Sequence, residues 1–393
     1  MLRISGTRPM LRRTLRAAAL LLAALLAAPR AQALDTPARA AIVVDLTSGA
    51  TLMEKNADAP LPPASMSKLM TMNMVFEALD EGRLSLDDRF PVSERAWRKG
   101  GSKMFVRVGD RIRVEDLIMG VTVQSGNDAC IVLAEGLAGS EEAFAEQMNA
   151  RAREIGLENS HFENATGWPD PGHEMSVRDL ATLAARIVTE FPEHHRFFSI
   201  MEFTWEDITQ QNRNPLLYLD VGADGMKTGH TEASGYGLTA TVERDGRRVI
   251  MVVNGLESAR QRAVEAEKLV NWAYREFRTG RLFDAGEPVA EAEIWLGEAE
   301  RVGLAPAADV HVTAPFAEAE DVTARVVYEG PIRAPVAQGQ EIATLIVEAP
   351  EMAAMRYPLV AMDDVPEGGV LARVKAAARL LIARAGGAAG LTQ

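Results

Sequence analysis

The chain has 393 residues, 47% hydrophobic and 25% charged, a globular composition long enough for two or three domains. A formal net charge of -13 argues against a nucleic-acid partner, and the single cysteine, Cys130, excludes an intramolecular disulfide. Six histidines are scattered without metal-site spacing, so neither a metal nor another cofactor is expected. In chain order, Arg3, Arg8, Arg12, Arg13 and Arg16 come first, followed by the apolar run AAALLLAALLAA and the small residues AQA at 31–33. Residues 1–33 therefore read as a removable secretory signal, too short to span a bilayer comfortably, which implies an exported, periplasmic protein. Arg12 and Arg13 leave the choice between general and twin-arginine export open.

Residues 34–285 carry the larger domain. AAIVVDL, TSGA and TLMEK read as strand, turn and strand over 40–55. In LPPASMSKLM, at 61–70, the prolines predict a helix starting near Ala64 or Ser65, with an interior apolar nearly all round. Ser65 and Lys68, three residues apart, then share a face. Taken alone, this spacing occurs by chance in many proteins, and an N-capping serine with a solvated lysine is the better reading of it. SGN at 125–127 feeds an apolar helix, and 140–156 reads as a capped amphipathic one. Ser176 and Asp179 stand in capping-box spacing at the head of another. KTGHT, at 227–231, precedes a hairpin over 235–256, its glycine allowing a ligand to approach the backbone closely, and 259–277 returns as a helix. Strands at both ends of a helical middle predict an α+β arrangement, an antiparallel sheet covered by helices. Residues 286–366 are short β-rich runs punctuated by Gly and Pro. Residues 367–393 place Val370, Leu371, Val374, Ala378, Leu381 and Ile382 at helical spacing, with no acidic residue after Glu367. That pattern predicts an amphipathic helix attracted to anionic lipid.

S-x-x-K at Ser65 and Lys68, S-G-N at Ser125 to Asn127 and K-T-G at Lys227 to Gly229 are each weak signals. In this order on an exported chain, they resemble the low-molecular-mass penicillin-binding proteins, the serine D-alanyl-D-alanine carboxypeptidases. The segments GGSKMFVRVGDRIRVEDLIMGVTVQSGNDAC and HFENATGWPDPGHEMSVRDLA extend the similarity between the motifs. The resemblance implies a β-lactamase/transpeptidase-like domain, a small all-β sandwich and a C-terminal helix holding the enzyme to the outer face of the inner membrane. It also implies roles. Ser65 is the acyl-ester nucleophile, Lys68 the general base and Ser125 the proton relay. Asn127 binds the peptide amide, and Lys227, Thr228 and Gly229 line the carboxylate pocket. The amides of Ser65 and His230 stabilise the oxyanion, and Arg262 matches an arginine that reads the substrate carboxylate. Lys68 must be neutral to act, an effect expected from the helix N-terminus and from Lys227 as a second cation. Peptidoglycan stem peptides are the implied substrates and β-lactams the implied inhibitors. Cys130 reads as a buried core thiol. A class A β-lactamase and a non-catalytic cell-wall-binding homologue are the alternatives. The first lacks an E-x-x-L-N run between the second and third motifs, and the second would not need the full set.

Overall fold

A β-branched run fits a pleated, buried surface, and two such runs form the middle of the main sheet. In the computed structural model, which describes residues 35–370 and Val374, these are β1 (Ala40–Asp45) and a later strand, Arg247–Leu256. The expected signal at 1–33 and the expected helix beyond 370, apart from Val374, lie outside the described residues. One compact unit runs from Ala38 onward. Its main sheet contains β1, β2 (Ala50–Lys55), β3 (Ala223–Thr231), β4 (Gly235–Arg244) and β5 (Arg247–Leu256) in the order β2-β1-β5-β4-β3. Every pairing is antiparallel, and β3 is an edge strand.

Helices α1 (Lys68–Asp80), α2 (Val114–Thr122), α3 (Asn127–Ala138), α4 (Glu141–Glu154), α5 (Val177–Glu190) and α6 (Ala259–Glu276) complete this part, with α5 and α6 both packed on β5. Leu69, Met70, Met72, Val75 and Phe76 on α1 are fully buried. At about 1.5–3 kcal/mol for each large apolar side chain, they fix α1 firmly in the core. Ser140, Ser176 and Ser258 cap α4, α5 and α6 by accepting from the amides of Ala143, Asp179 and Gln261. The capping box at α5 is only half formed. The Asp179 carboxylate accepts instead from the Asn159 amide and the Ser160 hydroxyl, anchoring the preceding loop.

Two expectations need correction and one is extended. The α-helix begins at Lys68, because Ala64–Ser67 forms a 3-10 turn ahead of it. KTGHT precedes the hairpin as expected, but it is itself the end of β3, whose two glycines hid the strand pattern. The β-rich region begins at Phe277 rather than 286. There β6 (Phe277–Phe283) leaves α6 directly and pairs with Val310–Pro315, although its arginines and glycine do not read as a strand. The rest is a six-stranded sheet, β7 (Ala290–Trp295), β8 (Arg301–Pro306), β10 (Thr323–Val327), β11 (Ile332–Arg333), β12 (Glu341–Glu348) and β13 (Met355–Ala361), with Val310–Pro315 as β9. Its order is β10-β12-β13-β8-β7-β11, and only β7 with β11 is parallel.

Buried Asp45, at the end of β1, accepts from Arg247 on β5, Thr279 on β6 and Thr313 on β9, tying the β-rich region to the main sheet. Among the described residues, no helix is long and apolar enough to cross a membrane.

Candidate active site

The 3-10 turn at Ala64–Ser67 explains why a serine and a lysine three apart face each other. At three residues per turn, i and i+3 eclipse, and the Lys68 Nζ lies 2.8 Å from the Ser65 Oγ. Ala64 holds a left-handed φ of 49°, a costly conformation for alanine that its neighbours enforce. A Cβ on Gly167 would lie 2.0 Å from the Ala64 carbonyl oxygen, and one on Gly229 would lie 2.7 Å from that of Pro63. Only glycine lets both segments clamp the turn. The close approach expected at Gly229 is therefore made by the protein's own turn.

Lys68 is fully buried. Besides Ser65, its Nζ donates to the Asn127 Oδ1 at 2.8 Å and to the Thr166 carbonyl oxygen. The Asn127 orientation is fixed because its Nδ2 donates to the Gly100 carbonyl oxygen at 2.8 Å. A neutral amine has two N–H groups and one lone pair. The two fixed acceptors take the N–H groups, which leaves the lone pair directed at the Ser65 hydroxyl. Burial is the main cause that lowers Lys68 from 10.5 to about 8, with Arg213 and Lys99 as the lowering cations. The expected second cation, Lys227, repels it as well, since the interaction between the two buried amines is reciprocal. Lys227 is itself held well below its ordinary value by burial and then by Lys68.

The second motif sits beside this pair. Ser125 has a left-handed φ of 66°, and its buried Oγ has no hydrogen-bond partner in the protein. A Cβ on Gly126 would meet the Asp128 carboxylate at 2.9 Å and the Met104 amide at 3.0 Å, so glycine is required there. Asp128 accepts from the amides of Met104, Phe105 and Val106, and the Asn127 amide donates to the Ser102 carbonyl. Residues 100–106 are thereby knitted to the motif.

The third motif forms the opposite wall on edge strand β3. Lys227 and Thr228 are buried, and Lys227 donates to the Thr228 carbonyl at 3.2 Å. His230 is exposed and stacks on Tyr236 at 3.8 Å, and the Arg262 guanidinium lies over the same tyrosine at 5.8 Å. The Arg262 Nη2 donates to the Arg213 carbonyl at 3.4 Å, and its buried Nε has no partner. Arg262 is thus not a solvated helix arginine. Cys130 is fully buried, with its thiol pushed up to about 12 by burial.

The structure thus gathers Ser65, Lys68 and Asn127 into one hydrogen-bonded group, with Ser125 unpaired beside it and Arg262 held against the third motif. Sequence reasoning assigned no role to Thr166, Lys99 or Arg213. Thr166 acts through its carbonyl, which carries no side-chain signal. Lys99 lies 4.9 Å over the Trp168 ring, and Arg213 donates to the Ser102 hydroxyl from the unremarkable run NRN. Among the described residues, no group of three or more His, Cys, Asp or Glu converges as a metal site.

The family model described as D-alanyl-D-alanine carboxypeptidase matches residues 27–258, more than half of the chain. The chain belongs to that family. A second family model, the penicillin-binding protein 5 C-terminal domain, matches residues 277–367 of this carboxypeptidase. The carboxypeptidase is 36% identical over 355 residues to D-alanyl-D-alanine carboxypeptidase DacD of Salmonella typhimurium, covering 88% of this chain and 90% of the relative. The crystal structure of penicillin binding protein 5 from Haemophilus influenzae is similar with a TM-score of 0.80 and 35% identity. That match covers 85% of this chain and 99% of the other. Penicillin-Binding Protein D2 from Listeria monocytogenes, in its ampicillin-bound form, is similar with a TM-score of 0.57 and 32% identity, over 62% of this chain and 99% of the other.

Proposed function

We propose that Ser65 carries the acyl group when this carboxypeptidase removes the terminal D-alanine from stem peptides ending in D-alanyl-D-alanine. The observation that carries the assignment is the 2.8 Å pair of Ser65 Oγ and Lys68 Nζ, with both other Lys68 acceptors fixed. Neutral Lys68 takes the hydroxyl proton as the Ser65 Oγ attacks the penultimate carbonyl. The amides of Ser65 and His230 hold the oxyanion. Ser125, whose hydroxyl has no competing partner in the protein, passes the proton to the departing amine. Asn127 keeps a second Nδ2 hydrogen for the peptide carbonyl while its first holds Gly100. Lys227, Thr228 and Gly229 line the carboxylate end with Arg262, and an arriving carboxylate favours the Lys227 ammonium. Water then hydrolyses the ester.

β-Lactams acylate the same oxygen in this reading. A fluorescent penicillin is expected to label the protein covalently, with mass spectrometry placing the adduct on Ser65. An adduct on any other residue overturns the assignment.

We also propose that the protein is exported to the periplasm and held to the inner membrane by an amphipathic helix over 367–393. The arginine-led apolar leader and the acid-free tail support this reading. Deleting residues 369–393 should abolish salt-sensitive co-sedimentation with anionic liposomes while activity persists. Equal sedimentation of both proteins would show that the anchor lies elsewhere.

A further inference from the structure

The hairpin that follows the third motif is held from outside by a residue that belongs to no motif. At its end Gly229 pairs with Gly237, His230 with Tyr236 and Thr231 with Gly235. Three of these residues are glycines and β3 is an edge strand, so little side-chain packing fixes this end. Its orientation nevertheless matters. Successive amides of a paired strand point to opposite edges. The Thr231 amide points into the turn, where it donates to the Ser234 Oγ at 2.9 Å. The His230 amide therefore faces the open edge. Beside it, a Cβ on Gly229 would meet the Pro63 carbonyl, just ahead of the turn that carries Ser65. A twist of residues 231–235 would swing the His230 amide away from that turn.

Arg39, the residue before β1, opposes this twist. Its Nη2 donates to the Ala233 carbonyl at 2.7 Å and to the Ser234 carbonyl, using both hydrogens of one nitrogen. The backbone of Arg39 is itself fixed, since its carbonyl accepts from the Asn56 Nδ2 at 2.7 Å. Its stem crosses Gly255 on β5, where a Cβ would lie 2.4 Å from the Arg39 Nε. Glycine there leaves a slot for the arginine. Inside the turn, buried Ser234 bonds both the amide and the hydroxyl of Thr231. The turn is thus closed from within by Ser234 and tied to β1 by Arg39.

We propose that Arg39 is a positioning residue for acylation: by gripping Ala233 and Ser234, it holds the His230 amide where the oxyanion forms. The proposal rests on the reading of that amide, with the amide of Ser65, as the oxyanion donors.

The test is D-alanine release by the full chain carrying Arg39→Ala or Arg39→Lys, with inhibition by a boronic acid analogue of the peptide measured alongside. Addition of the Ser65 Oγ to boron gives a tetrahedral adduct with an oxygen at the oxyanion position. Arg39→Ala should lower kcat by about tenfold and leave KM unchanged, a part of the roughly 10²–10³ that removing an oxyanion donor costs. Affinity for the boronic acid should fall by the same factor, because the adduct resembles the transition state. Arg39→Lys should recover part of both losses, since it keeps the charge without the planar fork. If Arg39→Ala does not fold, Arg39→Lys carries the test with a smaller loss. Wild-type kcat in the folded variant, whatever its Tm, overturns the positioning role, and so does a rise in KM alone. A fall in kcat with boronic acid affinity intact instead overturns the His230 amide as an oxyanion donor, and the proposal with it.

Discussion

Replacing Lys68 by methionine is expected to lower kcat/KM for both peptide hydrolysis and penicillin acylation by about 10²–10⁴, the usual contribution of a general base. The protein should remain folded, because two effects on stability oppose each other. Holding the buried amine near 8 instead of 10.5 costs about 3 kcal/mol when the pH is below both values. Methionine removes that cost. It also strips the donor from the Asn127 Oδ1 and the Thr166 carbonyl, at roughly 1–3 kcal/mol each. The balance is a small change in Tm. A variant that unfolds would show that Lys68 is structural first.

The same lowered pKa sets the pH profile of the wild type. Only the neutral amine accepts a proton, so acylation should rise about tenfold per pH unit below 8 and level off above it. About a tenth of the enzyme is competent at pH 7, about 300-fold more than for a lysine left at 10.5. The stability linkage has the same sign. The folded pKa lies below the unfolded one, so Lys68's contribution to stability rises with pH between about 8 and 10.5. An acylation rate that is flat from pH 6 to 9 would remove Lys68 from the role of base.

Much of this site was legible because its side chains follow local rules. β-branched runs gave β1 and β5, and serine caps gave the starts of α4 and α5. Ser65 and Lys68 were readable as a facing pair under either helix geometry, although the 3-10 turn brings them closer than an α-helical start implies. What escaped depends on long-range assembly. The Thr166 carbonyl reaches Lys68 across 98 residues, and any residue type can supply a carbonyl. Arg213 reaches Ser102 across 111 residues from a loop with no motif. Burial, the main cause of the Lys68 shift, belongs to the packed core and to no local pattern. β6 was missed because Arg278, Gly280 and Arg281 interrupt its apolar alternation, while its pairing with β9 decides the matter.

Arg262→Ala is expected to lower kcat/KM for peptides with a free C-terminal carboxylate by about 10–100-fold, the value of a charge-assisted hydrogen bond of roughly 1.5–3 kcal/mol. The electrostatics motivate the size. After burial, the groups that push Lys227 down are the cations Lys68, Arg213 and Arg262. Arg262 is likewise lowered by burial and then by Arg213. Gathering cations in this way costs stability unless an anion joins them, and the buried Arg262 Nε is a donor with nothing to meet. Arg262→Lys should recover only part of the rate, since it restores charge without the planar fork. A peptide ending in a C-terminal amide separates carboxylate reading from packing. It should be a poor substrate for the wild type, and Arg262→Ala should not make it worse, because the interaction is already absent. Equal losses on acid and amide peptides would mean that Arg262 serves only to brace Tyr236 and His230. Unchanged kinetics on both would make it a bystander to the reaction.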